Sequence, residues 1–260
     1  MSIRLSLRLL SSLLLLSPLT GQDRWAPHAV AGPVNQLIVS GNACGPAALL
    51  TAFRCGDENT RQAAAAIPGA SDRERLLHII RAHGLKPSIS LRNRSRWTRH
   101  GINPEDLHAI ATELAAASPN LTLKSHSLHA AAGSPGTRTL RHSHQLLRDS
   151  LARGFPPVLS IRRYTLRDGQ WLMLDGHFIT IVRVPEKIDR QATSFALTYF
   201  EPWGAKKREA TLGIPQVPFL TEDPERPGAL GLDAPQADVG KSKVRRGETT
   251  ILAASFLIAR

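Results

Sequence analysis

Residues 41–55 read GNACGPAALLTAFRC, which places Cys44 where a small-residue turn meets an apolar run. Read as a helix, the run puts Cys44 at or beside an N-terminus, where orphan backbone amides and the positive dipole end stabilise a thiolate. A cysteine so placed gains nucleophilicity at neutral pH, and the chemistry open to it is attack on a carbonyl carbon. Pro46 suits the first turn because its missing amide would be unpaired there. Gly45 leaves room for a substrate to approach the backbone.

Such a nucleophile needs a base, a group that orients the base, and donors for the oxyanion. Among ten histidines, His177 in DGHFITIV opens a strongly apolar strand whose neighbours would hold its ring rigidly. The alternative for His177 is a satisfied histidine at a strand edge. Glu201 directly follows FALTYF and opens the turn-like EPWG. If the two strands are antiparallel neighbours joined near 185–194, their facing ends bring Glu201 to the ring. Asp175 competes for the same role, but in an extended chain it lies about 6.6 Å from His177 along the strand unless Gly176 bends it. The Cys44 amide is one oxyanion donor. Gln36 in VNQLIVSGN is the second, with a plain polar loop residue as the alternative. His126, His129, His142 and His144 are loosely spaced and imply no fixed ligand geometry, so no metal or other cofactor is expected.

The elements that must position these residues divide the chain in two. The first half reads as helices. The Cys44 helix stops at Gly56; the next runs from Ser71 to His83, with Ser71 and Glu74 as a capping box and Gly84 as stop. Asn103-Pro104 opens a third, and a fourth covers about Ser143 to Arg153. Short extended pieces are expected at Pro87 to Leu91 and Leu121 to His126. The second half reads as strands: Phe155 to Tyr164, Gln170 to Val184, Phe195 to Phe200 and Thr249 to Ala259. Helices followed by strands predict an α+β fold with an antiparallel sheet against a helical lobe. Residues 213–247, rich in Pro, Gly and charge, read as a long surface loop.

With 260 residues, 42% of them hydrophobic, the chain has material for one sizeable core. Arg4 and Arg8 precede the apolar run Leu9 to Leu16, the pattern of a secretory signal. Residues 1–26 are therefore expected to leave and 27–260 to form an exported domain, periplasmic, cell-surface or secreted, with no stable membrane span after signal removal. The charge of +12 favours anionic surroundings such as a cell-surface polymer. The basic residues are scattered without interleaved aromatics, however, so nucleic acid is not an expected partner. Cys44 and Cys55 stand eleven residues apart, about 16 Å along a helix, beyond the roughly 7 Å Cα limit of a disulfide. Both are expected to be free thiols.

Together, Gln36, GNACGPAALLTAF, LLRDSLARGFPPVLSIRR, GHFITIVRV and the strand ending EPWG resemble the papain-like cysteine peptidases that cleave double-glycine leaders from bacteriocins, and their relatives. The resemblance runs from about Gln36 to Gly204. It implies a papain-like fold with the Cys helix in the helical lobe and the His and Glu on the sheet. It also implies Cys44 as nucleophile, His177 as base, Glu201 as orienting acid and Gln36 as oxyanion donor, acting on a peptide or protein substrate. Glu201 stands where that family usually has Asp, the Gln36 to Cys44 gap is a little long, and a signal replaces the usual fused transporter. Fold and mechanism follow from the resemblance more firmly than substrate. An inactive peptidase-like binding module and an acyltransferase using the same thiol are the alternative functions.

Overall fold

The computed structural model describes residues 22–131, 133–223, 226–237 and 239–260, and the fold is α+β. The expected leader run Leu9 to Leu16 lies outside the described residues. Helix α1 (Cys44–Cys55) is buried at every position except Arg54, as befits a helix that is apolar all round. It is continuous, and both cysteines are free. The helix ends at Gly56, where a Cβ would meet the Gly154 carbonyl at 2.5 Å. Helix α2 (Glu58–Ala66) follows at once, capped by Asp57, whose Oδ1 accepts from the Thr60 amide at 3.0 Å. Helix α3 (Asp72–His78) carries the Ser71–Glu74 capping box and continues as one wider turn, Ile79–Gly84. Helix α4 (Pro104–Ala115) is capped by Asn103, and α5 (Gly136–Ala152) starts after Pro135.

The strands are β1 (Asp23–Trp25), β2 (Trp97–Thr98), β3 (Gly101–Ile102), β4 (Lys124–Ser127), β5 (Val158–Arg167), β6 (Gln170–Pro185), β7 (Ser194–Glu201), β8 (Lys206–Gly213), β9 (Leu230–Asp233) and β10 (Thr250–Ala259). The small β2–β3 pair stands apart from an eight-stranded antiparallel sheet. That sheet runs β6–β5–β10–β9–β8–β7 and then closes, because β7 also pairs with β6. Closure removes free edges from this ring, while β1 pairs with the far end of β6 and β4 with β10. One apolar cluster joins α5 to the ring through Leu140, Leu147, Ile179, Leu197 and Tyr199. A second joins α1, α3 and α4 to β5, β6 and β10 through Phe53, Leu76, Leu107, Val158, Phe178 and Ile258. The Thr180 hydroxyl of β6 donates to the Ala48 carbonyl at 2.9 Å and ties α1 onto the sheet.

Several sequence expectations change. The stretch 213–247 is not one surface loop. It supplies β9, whose alternating Leu230 and Leu232 are buried between β8 and β10, and Phe219 is fully buried against Tyr164 and Trp171. Residues 23–26, at the end of the expected leader, pack against the sheet. Arg183 binds Asp23 at 2.7 Å, Trp25 lies under Arg183 and Lys207, and the Ala26 amide donates to Val182. Helix α5 begins at Gly136, not Ser143; its first turns bury Thr139 and Leu140 but expose Arg138, Arg141 and His142, so the apolar pattern there is thin. Of the piece Pro87 to Leu91, Pro87 makes one bridge to Ser95. Among the described residues, no helix is long and apolar enough to cross a membrane.

Candidate active site

Cys44 is the first residue of α1 and is 8% exposed. Ala43 precedes it without a side-chain cap, and the helix itself offers no acceptor to the amides of its first turn. Pro46 has no amide to leave unpaired. Gly45 has a different reason from the one expected. A Cβ there would lie 2.6 Å from Ile102 Cγ2 and 3.1 Å from Leu107 Cδ1, so the absent side chain makes room for β3 and α4, not for a substrate.

His177 is buried on β6, and its Nε2 lies 2.5 Å from Glu201 Oε1 at the end of β7. The pairing Thr180 with Phe200 sets this register, so the expected antiparallel neighbours bring the two side chains together. Glu201 Oε1 also accepts from the Trp203 amide at 3.0 Å, which fixes the carboxylate from the turn that follows it. With Nε2 engaged, Nδ1 is the nitrogen left for Cys44, which acts on the ring electrostatically beside Glu201. Burial alone would lower the imidazole pKa. The Cys44 charge, followed by the hydrogen bond and charge of Glu201, outweighs it and raises the value to about 10. The arrangement thus favours an imidazolium held between two acidic groups.

Asp175 is not the orienting group. Its carboxylate binds Lys243 at 3.1 Å and accepts from the Gly176 amide, so it is engaged away from His177. Gln36 lies in a short turn, Gln36–Ile38, fully buried. Its backbone amide donates to Pro202 at 3.0 Å, and its side-chain Nε2 donates to the Gly41 carbonyl. Gln36 therefore links the segment entering α1 to the turn after Glu201, behind the cleft wall and not on it. Its Oε1 is buried with no partner among the described residues.

Cys44 and His177 open onto a cleft of about 820 Å³. One wall comes from Asn42, His100 and Ile102, the other from Ser160, Met173 and Phe178, with the 239–242 turn beyond. No family model, curated protein or solved structure matches the chain.

Sequence reasoning missed the residues that hold the cleft's shape. The Asn42 carbonyl accepts from Trp97 Nε1 at 3.0 Å, and its side-chain amide donates to Arg99. The Asn35 side chain accepts from both Leu37 and Gly204 amides, joining the same two turns as Gln36. Trp203 stands half exposed beside Gly41, where a Cβ would come within 3.6 Å of its ring. Asn42 and Trp203 flank the Cys and Glu motifs in sequence, which is the one signal that could have singled them out. Of the loose histidine group, His144 is committed elsewhere: its Nε2 lies 2.7 Å from the Pro185 carbonyl and its ring packs edge-on to Phe195. Among the described residues, no group of three or more His, Cys, Asp or Glu could hold a metal ion.

Proposed function

We propose that the protein is an exported cysteine hydrolase that cleaves peptide bonds with a papain-like, double-glycine-peptidase-like arrangement. The observation that carries this reading is the buried His177 held between Cys44 and Glu201 at the mouth of a cleft. In this reading the Cys44 thiolate adds to the substrate carbonyl carbon, and the oxyanion is met by the Cys44 amide, with Gln36 bracing the turn behind it. The imidazolium gives its proton to the departing amine as the C–N bond breaks, leaving a thioester. Water then loses a proton to His177 and attacks the thioester, releasing the acid and restoring the thiol pair. Glu201 keeps the ring oriented and steadies its positive charge.

Alkylation by iodoacetamide, with Cys55 replaced by Ala, tests the pair before any substrate is known. Removing Cys55 leaves Cys44 as the only thiol to react; in the wild type, burial, the largest influence on Cys55, raises its thiol to about 11. Rapid alkylation of Cys44 at pH 6 that His177→Gln slows supports the reading. Hydrolysis of a fluorogenic peptide pool that Cys44→Ala abolishes without lowering Tm then establishes the activity. Slow alkylation, indifferent to His177→Gln, removes the hydrolase reading.

A further inference from the structure

The cleft around Cys44 is cationic far beyond what its two ionised partners require. Among the described residues, its walls carry Arg94, Arg162, Lys206, Arg208 and Lys241 against two carboxylates, Asp175 and Glu201. Glu201 is committed to His177, and Asp175 to Lys243. Among the described residues, cations thus outnumber carboxylates in the cleft lining.

Two of these cations stand out. Arg162 pairs across the strands with Gly176, the residue immediately before His177, and its side chain runs past Gly176. It is half-buried, and its guanidinium has no hydrogen-bond or salt-bridge partner among the described residues. Arg208 lies on β8, two residues from Lys206, whose strand partner is Glu201 itself. One Arg208 nitrogen binds Gln236 Oε1 at 2.5 Å, while its Nε is buried with no partner. A half-buried guanidinium facing a cleft without its acceptors is under-satisfied, and carboxylates are the acceptors its planar fork fits best.

Resting on the hydrolase reading, we propose that the cleft selects peptides bearing a carboxylate next to the scissile bond, received by Arg162 and Arg208. The carboxylate can come from an acidic side chain or from a free C-terminus, which the two cations would bind by the same chemistry.

Paired haloacetyl reagents test this on the full exported chain carrying Cys55→Ala. Iodoacetamide is neutral and iodoacetate anionic, and both alkylate the same thiol. The ratio of the iodoacetate to the iodoacetamide rate on Cys44, relative to that ratio on free cysteine, reads the potential in the cleft. A raised ratio that falls about threefold in Arg162→Gln, and about as much in Arg208→Gln, is the expected result for one unit charge several ångströms away in a solvated cleft. Lys206→Gln, exposed on the cleft rim, provides a third variant should either arginine variant fail to reach the wild-type Tm, with a fall in the ratio expected and an unchanged ratio overturning the inference. Slowing of iodoacetamide by acetyl-Gly-Glu-Gly amide but not by its Gln counterpart assigns the carboxylate to a side chain. Slowing by acetyl-Gly-Gln-Gly free acid but not its amide assigns it to a C-terminus. Fast iodoacetamide with an iodoacetate ratio equal to that of free cysteine, unchanged in the variants, overturns the carboxylate inference and leaves the thiol pair standing. Slow reaction with both reagents overturns the hydrolase reading and this inference with it.

Discussion

The Nε2 atom of His177 lies 2.5 Å from Oε1 of Glu201, and that same oxygen accepts the Trp203 amide at 3.0 Å. The carboxylate is thus fixed by its own turn before it fixes the ring. Glu201→Gln keeps the side-chain shape but replaces the charge that steadies the imidazolium. It is expected to lower kcat on the peptide substrate by about 10² to 10⁴-fold while the protein stays folded. A kcat within a factor of three of wild type would remove Glu201 from the mechanism.

The pH response follows from the same residue. The His177 pKa is raised to about 10 in the fold from an ordinary 6.5, so its contribution to stability is fully present below 6.5 and is lost as pH rises through about 10. Thermal melts from pH 6 to 11 should show a decline on the alkaline side. Because the Cys44 charge is the largest influence raising the value, Cys44→Ala should move that decline to lower pH. NMR titration of the His177 ring in both proteins checks it directly, and equal titration midpoints would contradict the account.

Gln36 separates two roles by which kinetic parameter moves. As an oxyanion donor, its loss in Gln36→Ala should reduce kcat about 10²-fold with KM nearly unchanged. As a brace between Gly41 and Pro202 alone, the substitution would instead lower Tm and raise KM with the chemistry intact.

Glu113 anchors the segment that covers the cleft from the helical side. Burial pushes its pKa up, but hydrogen bonds from His83, Lys86 and Arg96 outweigh this and bring it down to about 2. Its stabilising contribution is therefore present above the ordinary 4.5 and lost as pH falls through about 2. Glu113→Gln is expected to cost about 1–2 kcal/mol in denaturant unfolding at pH 7. The difference from wild type should vanish at the acid end of a pH series.

The N-terminal boundary is open to a truncation pair. A chain beginning at Pro27 loses β1, the Asp23–Arg183 bridge and the Trp25 contact with Lys207, whereas one beginning at Gln22 keeps them. The shorter chain should be less stable by about 2–4 kcal/mol. N-terminal sequencing of the mature protein should give a start at or before Gln22. A mature start at Pro27 with unchanged stability would show β1 to be dispensable.

The sequence by itself determined the local elements and the chemistry they offer. The apolar run after Cys44 and its stop at Gly56 are both present, and the resulting continuous helix keeps the two cysteines apart as expected. The capping box at Ser71 and Glu74 and the Asn103-Pro104 start appear where the sequence puts them. These are readable because caps and periodicity act within a few residues. Helix α2 escaped because its ENTRQAAAA run has little apolar periodicity, and β9 because four residues between Pro and Gly carry almost no pattern.

Tertiary structure alone decided what surrounds the chemistry. Pairing of β6 with β7 placed Glu201 against His177, and Lys243 engaged Asp175, since both depend on contacts between residues far apart in the chain. The close approach of Ile102 gave Gly45 its reason, and the β1–β6 pairing drew Asp23–Trp25 into the domain. Scattered arginines became a cleft wall for the same reason. Arg162 and Arg208 are distant in sequence and share a surface once the sheet has closed, and charge placed by folding leaves no local trace in the order of residues.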